Sequence, residues 1–160
     1  MIMIKTTEPP SLKLRRTNSS DKDFHLLVEK LNKYLLAQYG GLQDFYSQFN
    51  KIDNIPNVVI AYANGEPAGC GCFKKFDDLS VEIKRMFVAG EHRAKGIGRA
   101  ILCELEKWAA ELGNKEIVLE MGNRQPEAAL LYQKQGFTVI PNYGLYTGME
   151  TSICMKKELN

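Results

Sequence analysis

No apolar run in the chain approaches the roughly 20 residues needed to span a bilayer. The first residues, Met1-Ile2-Met3-Ile4-Lys5, lack the basic start and long apolar stretch of a secretory signal. Charge of one sign is missing too. Lys+Arg 21 against Asp+Glu 19 leaves a net charge of +2, too balanced for a nucleic-acid coat or a membrane-binding patch. There are only two histidines and four cysteines. Cys70 and Cys72 would share a strand face, but the second Cys/His pair of a structural zinc site is absent, so no metal is expected. Reduced, buried thiols in a reducing compartment are the simpler expectation. Repeats, linkers and low-complexity segments are lacking as well. What is left is one cytoplasmic domain over residues 1–160, with residues 1–10, ending in Glu8-Pro9-Pro10, a loose lead-in. At this length roughly two-thirds of the unfolded chain's surface can be buried, enough for a substantial core.

The pattern along the chain is strand, helix, helix, then three strands joined by short turns. Ser11–Arg16 alternates as a strand, and Thr17-Asn18-Ser19-Ser20-Asp21 is a cluster of helix-capping residues. Phe24, Leu27, Val28, Leu31, Leu35 and Leu36 then recur at helical spacing as far as Gly40-Gly41. A shorter helical segment through Phe45 and Phe49 is expected next. Val58–Ala63 and Pro67–Phe76 flank Asn64-Gly65, a strong hairpin signal, and Leu79–Val88 extends the meander. Ile97, Ile101, Leu105, Trp108 and Leu112 mark an amphipathic helix closed by Gly113-Asn114. Because that helix intervenes, the strand Glu116–Glu120 can lie parallel to Leu79–Val88. A helix opening at Pro126 runs to about Gln135, and Phe137–Ile140 and Ser152–Lys156 close an α+β domain.

One stretch carries chemistry. Residues 86–100 join a strand to the start of the long helix, where unpaired N–H groups and the helix dipole attract anions. Gly96 and Gly98 allow close backbone approach, and Arg93, Lys95 and Arg99 add positive charge. Pyrophosphate binding is the expectation; a tight turn without a ligand is the plainer alternative. A P-loop string does not occur, and a dinucleotide fingerprint would want Gly or Ala where Ile101 stands.

Arg93-x-x-Gly96-x-Gly98 resembles the acyl-CoA pyrophosphate loop of the GCN5-related N-acetyltransferase (GNAT) superfamily. The likeness extends back through Glu82–Val88. It runs forward into Asn123, Ala128, Leu131-Tyr132 and Gly136-Phe137, which resemble that family's asparagine, tyrosine and Gly-Phe helix segment. The resemblance implies a mixed, mostly antiparallel sheet flanked by helices, splayed between its fourth and fifth strands. It implies acetyl-CoA as acyl donor and a primary amine of a small molecule or peptide as acceptor. Pantetheine contacts would fall on the backbone of Met86, Phe87 and Val88 and on Asn123. Pyrophosphate contacts would fall on the amides of Arg93, Ala94, Lys95, Gly96, Ile97, Gly98 and Arg99.

The same resemblance implies that Glu82 acts as general base and that Tyr132 meets the thioester sulfur. An ammonium must lose its proton before it attacks, and a carboxylate can take that proton directly or through water. Strict alternation places Glu82, Lys84, Met86 and Val88 on one face and Ile83, Arg85 and Phe87 on the other. Glu82 as a surface carboxylate paired with Lys84 or Arg85, and Tyr132 as a packing aromatic, are the plainer readings. The oxyanion would rest on the backbone N–H near Phe87 or Val88. No cysteine, Cys103 included, has an apparent histidine partner, so direct attack in a ternary complex is expected. His92 is expected to line the loop and His25 the surface. Tyr34, Tyr39, Tyr46, Tyr143 and Tyr146 are candidate walls of the amine pocket. An acyl-CoA-binding sensor or scaffold with weak turnover is the alternative from another class, and a homodimer stays open.

Overall fold

The computed structural model describes residues 11–40 and 51–160. The lead-in over residues 1–10, the helical segment through Phe45 and Phe49, and Tyr46 lie outside the described residues. Seven strands form one sheet: β1 (Leu12–Thr17), β2 (Asn57–Ala63), β3 (Glu66–Lys75), β4 (Ser80–Val88), β5 (Glu116–Gly122), β6 (Thr138–Ile140) and β7 (Ser152–Glu158). Their spatial order is β1-β2-β3-β4-β5-β7-β6. Every neighbouring pair is antiparallel except β4 and β5. The helices are α1 (Lys22–Tyr39), α2 (Ile97–Glu111) and α3 (Pro126–Lys134).

Local chemistry fixes the ends of these elements. The Asp21 carboxylate accepts from the Asp23 N–H at 2.9 Å and starts α1, while Gly40 caps it at φ 56. Asn64 and Gly65 both have positive φ, as a two-residue primed turn requires. At the β3–β4 turn, Asp77 Oδ1 accepts from the Leu79 N–H and the Ser80 hydroxyl, an Asx-type closure. Leu112, the last residue of the apolar stripe, caps α2 and is exposed.

Period-two alternation sorts side chains to the two faces. Val58 and Ile60 meet Phe24, Leu27 and Leu31 of α1. Val59 and Ala61 join the larger core with Ile101, Leu102 and Leu105 of α2. Cys70 and Cys72 lie together in the α1-side core, as their spacing predicts, and burial pushes the Cys72 thiol up to about 12. Cys154 is buried too, but Cys103 on α2 is exposed, which corrects the expectation of four buried thiols.

Strand β4 does not alternate as the sequence suggests. Cys70 pairs with Phe87 but Cys72 pairs with Lys84, so three β4 steps oppose two on β3. The extra residue is a β-bulge with Arg85 at φ 56. A one-residue insertion moves every later side chain to the other face. Val81 and Ile83 pack in the α2-side core, and beyond the bulge Met86 and Val88 do so as well. Phe87 joins the α1-side core, and Arg85 reaches Asn32 of α1. Glu82 and Met86 therefore do not share a face.

Gly71 faces the bulge across the pair. A Cβ there would stand 2.5 Å from Met86 Sδ and 2.9 Å from Leu105 Cδ1. Gly71→Val is expected to destabilise the fold by about 1–3 kcal/mol through overpacking. A thermal midpoint equal to the native one would show that the bulge tolerates filling.

Candidate active site

The parallel ladder between β4 and β5 runs from Ser80↔Glu116 to Ile83↔Leu119 and stops there. Past this point the bulge keeps β4 bonded to β3 while β5 follows β7, and the two strands part. A cleft of about 100 Å³ opens in the gap, with Leu31, Leu35 and Tyr39 at its α1 side. Lys84, Arg85 and Met86 line it from β4, Glu120 and Met121 from β5, and Tyr132 from α3. The described part of β4 beyond Ile83 has a strand partner only on its β3 side, so Met86–Val88 present one backbone edge toward the gap.

Beyond β4 the chain turns through Gly90–His92 and enters α2. Ala94 has φ 61 and Gly96, the N-cap of α2, has φ 78. Arg93 N–H is turned to the Gly90 carbonyl at 3.4 Å, so of the expected amides this one is engaged within the loop. The backbone N–H groups of Ala94, Lys95 and Gly96 have no hydrogen-bond acceptor among the described residues, and Ala100 N–H to Gly96 O (3.1 Å) closes the first turn. Ile97, Gly98 and Arg99 occupy that turn, whose N–H groups a helix cannot satisfy itself. A run of amides without acceptors at a helix start suits a diphosphate.

The side chains of the loop divide their work. Lys95 and Arg99 are exposed at the mouth. Arg93 instead folds back: its Nε donates to the Val88 carbonyl at 3.0 Å and its guanidinium lies 4.9 Å from the Tyr34 ring centroid. It ties the loop to α1. Tyr34 thus supports the loop, whereas Tyr39 walls the cleft. Gly98 faces Leu131 of α3, 3.3 Å from where a Cβ would stand, so its smallness also lets α2 and α3 approach. His92 is part-buried 3.7 Å from Glu91, and the exposed His25 places Nε2 2.7 Å from the Ser19 carbonyl.

Tyr132 is buried, edge-on to Phe137, and its hydroxyl has no hydrogen-bond partner among the described residues. Burial, with the Glu120 charge second, holds its pKa above the usual phenol value. Tyr132 therefore stays a neutral O–H donor aimed at the cleft. Asn123 lies just beyond β5; its side-chain amide donates to the Glu150 carbonyl at 3.3 Å and its backbone N–H to Thr151 O at 2.9 Å.

Glu82 is also buried, but elsewhere. It sits within the paired part of the ladder, opposite Val118, and accepts from Tyr143 Oη at 2.6 Å. Lys84 Nζ lies 3.4 Å from Glu82 and donates to Tyr146 Oη at 3.0 Å. Burial lowers the Lys84 pKa, and the Glu82 charge opposes that shift. These residues line a second chamber of about 420 Å³ on the α1 side, with Phe76, Leu145, Lys74 and Lys51. Lys84 borders both spaces, while Glu82 and Tyr132 line different ones.

The sequence reading missed Glu120. It is the first β5 residue past the last β4–β5 pair, on the face of Lys84 and Tyr146, and it lines the cleft with Tyr132. Burial pushes its carboxyl up to about 7, against the Lys84 charge and hydrogen bonds from Tyr146 and Ser152. The available signal was a carboxylate inside the apolar run Ile117-Val118-Leu119-Glu120-Met121.

Residues 24–137 match the model of the Acetyltransferase (GNAT) family. The IAA acetyltransferase of Azospirillum brasilense is 29% identical over 153 residues, covering 94% of this chain and 99% of that protein. Among solved structures, a GNAT-family acetyltransferase from Staphylococcus aureus Mu50 superposes with a TM-score of 0.71 at 15% identity, covering 94% of this chain and 100% of that one. The Salmonella typhimurium protein yncA, solved with its cofactor acetyl-CoA, gives a TM-score of 0.67 at 21% identity, covering 94% and 95%. At these identities the two structures share the fold. The chain belongs to the GNAT acetyltransferase family, whose members use acetyl-CoA as acyl donor. Among the described residues no group of three or more His, Cys, Asp or Glu side chains is placed to hold a metal, and no helix is long and apolar enough to cross a membrane.

Proposed function

We propose that this protein transfers the acetyl group of acetyl-CoA to a primary amine by direct attack in a ternary complex. The observation that carries the reading is the parting of β4 and β5 beyond Ile83 and Leu119, with Tyr132 and Glu120 facing the gap. The amides of residues 94–99 would hold the pyrophosphate, with Arg93 bracing the loop from Val88 and Tyr34. Pantetheine would run along Met86, Phe87 and Val88 as a pseudo-strand toward Asn123, leaving the thioester near Tyr132.

The ammonium of the acceptor gives its proton to a carboxylate, and two are at hand. Glu120 faces the cleft, and Glu82 lines the chamber on the acceptor side. The geometry favours Glu120 as the first acceptor, with Glu82 holding Lys84 and Tyr143 in place. A base near pH 7 is matched to this task. The neutral amine then attacks the carbonyl carbon, the oxyanion rests on a backbone N–H of β4, and the C–S bond breaks as the nitrogen's second proton passes to water, with solvent protonating the released thiolate. Tyr132 donates its hydrogen bond to the departing thiolate. Its raised pKa makes that stabilisation, ahead of complete proton transfer, its main contribution.

Thiol release from acetyl-CoA across a panel of amines tests the reading. Amine-dependent release is expected; tight acetyl-CoA binding with no release above hydrolysis for any amine would point instead to a sensor or scaffold. Tyr132→Phe should lower kcat by about 10-fold or more while acetyl-CoA affinity changes little, since only one hydrogen bond to the leaving group is lost. Equal loss of both would make Tyr132 a packing residue.

A further inference from the structure

The cleft and the chamber differ in size and in charge. About 100 Å³ is room for roughly three waters' worth of matter, enough for the reacting groups alone. The chamber, about 420 Å³, is broad and open to solvent, and it lies on the face of the sheet opposite α2 and α3. Among the described residues three ammonium groups border it, those of Lys51, Lys74 and Lys84, against one carboxylate, Glu82. That carboxylate is already engaged by Lys84 and Tyr143. Lys74 is the cross-strand neighbour of Glu82 on β3, and its charge is felt at Lys84. Neither Lys74 nor Lys51 makes an ion pair among the described residues, although the adjacent Lys75 pairs with Asp78. The remaining walls are apolar or aromatic: Phe76, Tyr143, Leu145 and Tyr146.

We propose that the acceptor is an amine bearing an anionic group and an apolar or aromatic body, with the anion held by Lys74 and Lys51 and the amine directed toward Glu120. This assignment rests on the acetyl-transfer reading and names its substrate class. A second positive charge, as in a polyamine, finds no open carboxylate among the described residues that line the chamber and meets two exposed ammonium groups. An acceptor carboxylate offsets part of that positive excess, and its apolar body packs between Phe76 and Leu145. A basic surround has a further effect on the reacting amine: it disfavours the ammonium form, so more of the bound acceptor is the nucleophile.

The test compares acceptors that differ only in the anion, as amino acids and their carboxamides, aromatic and aliphatic, with spermidine as the cationic control. Rates are expressed per free amine to remove differences in amine basicity. The acid should exceed its carboxamide by about tenfold in kcat/KM, carried mainly by KM, as expected for a charge-assisted contact. In Lys74→Gln the preference should shrink to about threefold or less, and Lys74→Arg should restore it. Acid and carboxamide used equally, or spermidine as the best acceptor, would overturn the inference and leave acetyl transfer standing. Thiol release by none of a wider set of amines would overturn acetyl transfer itself, and this assignment with it.

Discussion

Glu120→Gln is expected to lower kcat/KM by about 10²–10⁴-fold at neutral pH, the usual contribution of a positioned base. In the native protein the rate should fall below about pH 7 as Glu120 takes up a proton and can no longer accept one. The glutamine variant loses that limb and keeps only the slower rise that follows the free-amine fraction. Stability gives an independent readout of the same group. The folded carboxyl holds its proton up to about 7, against 4.5 for an ordinary glutamate, so its contribution to stability is complete below about pH 4.5. It is lost as pH rises through 7. The thermal midpoint of Glu120→Gln should therefore vary less between pH 5 and 8 than that of the native protein. Glu82→Gln, measured beside it, should lower the rate but keep the limb near pH 7. The reverse pattern would return the base role to Glu82.

Gly96→Val is expected to weaken acetyl-CoA binding by about 10- to 100-fold with little loss of fold. Gly96 caps α2 at φ 78, a left-handed conformation that a β-branched residue adopts only with strain of about 1–3 kcal/mol. Relief of that strain turns the amides of residues 94–96 away from a common point. No atom lies within 4 Å of the missing Cβ, so the substitution acts through the backbone and not through a clash. Calorimetric titration of acetyl-CoA, with the thermal midpoint as a control, separates the two. Unchanged affinity would remove the 94–99 amides from the pyrophosphate site.

The loop from Arg93 to Arg99 and the elements on either side were legible because glycine, proline and capping residues act within a few bonds of where they stand. Asn64-Gly65 made its turn, Gly40 ended α1, and Pro126 opened α3. Side-chain direction in β4 was not legible. Alternation placed Glu82 on the same face as Met86, yet one inserted residue at Arg85 reversed the register and put them on opposite faces. Nothing in Ile83-Lys84-Arg85-Met86 announces a bulge, because its cause is the pairing with Gly71 and the packing of Met86 against α2.

Glu120 was hidden for a related reason. A carboxylate in an apolar strand signals either a solvent-facing position or a buried site, and only the termination of the ladder at Leu119 decides between them. The tyrosines were candidates without places: Arg93 took Tyr34 for the loop, Glu82 and Lys84 took Tyr143 and Tyr146 for the chamber, and Tyr39 came to the cleft wall.

By itself the sequence determined the order of elements, the turn at the α2 N-terminus and the residue types that meet an acyl-CoA, since these depend on short-range backbone preferences. Only the tertiary structure decided which carboxylate faces the gap, which lines the chamber, and which cations there have no ion-pair partner among the described residues. Those outcomes depend on strand register and burial, which residues distant in the chain fix jointly.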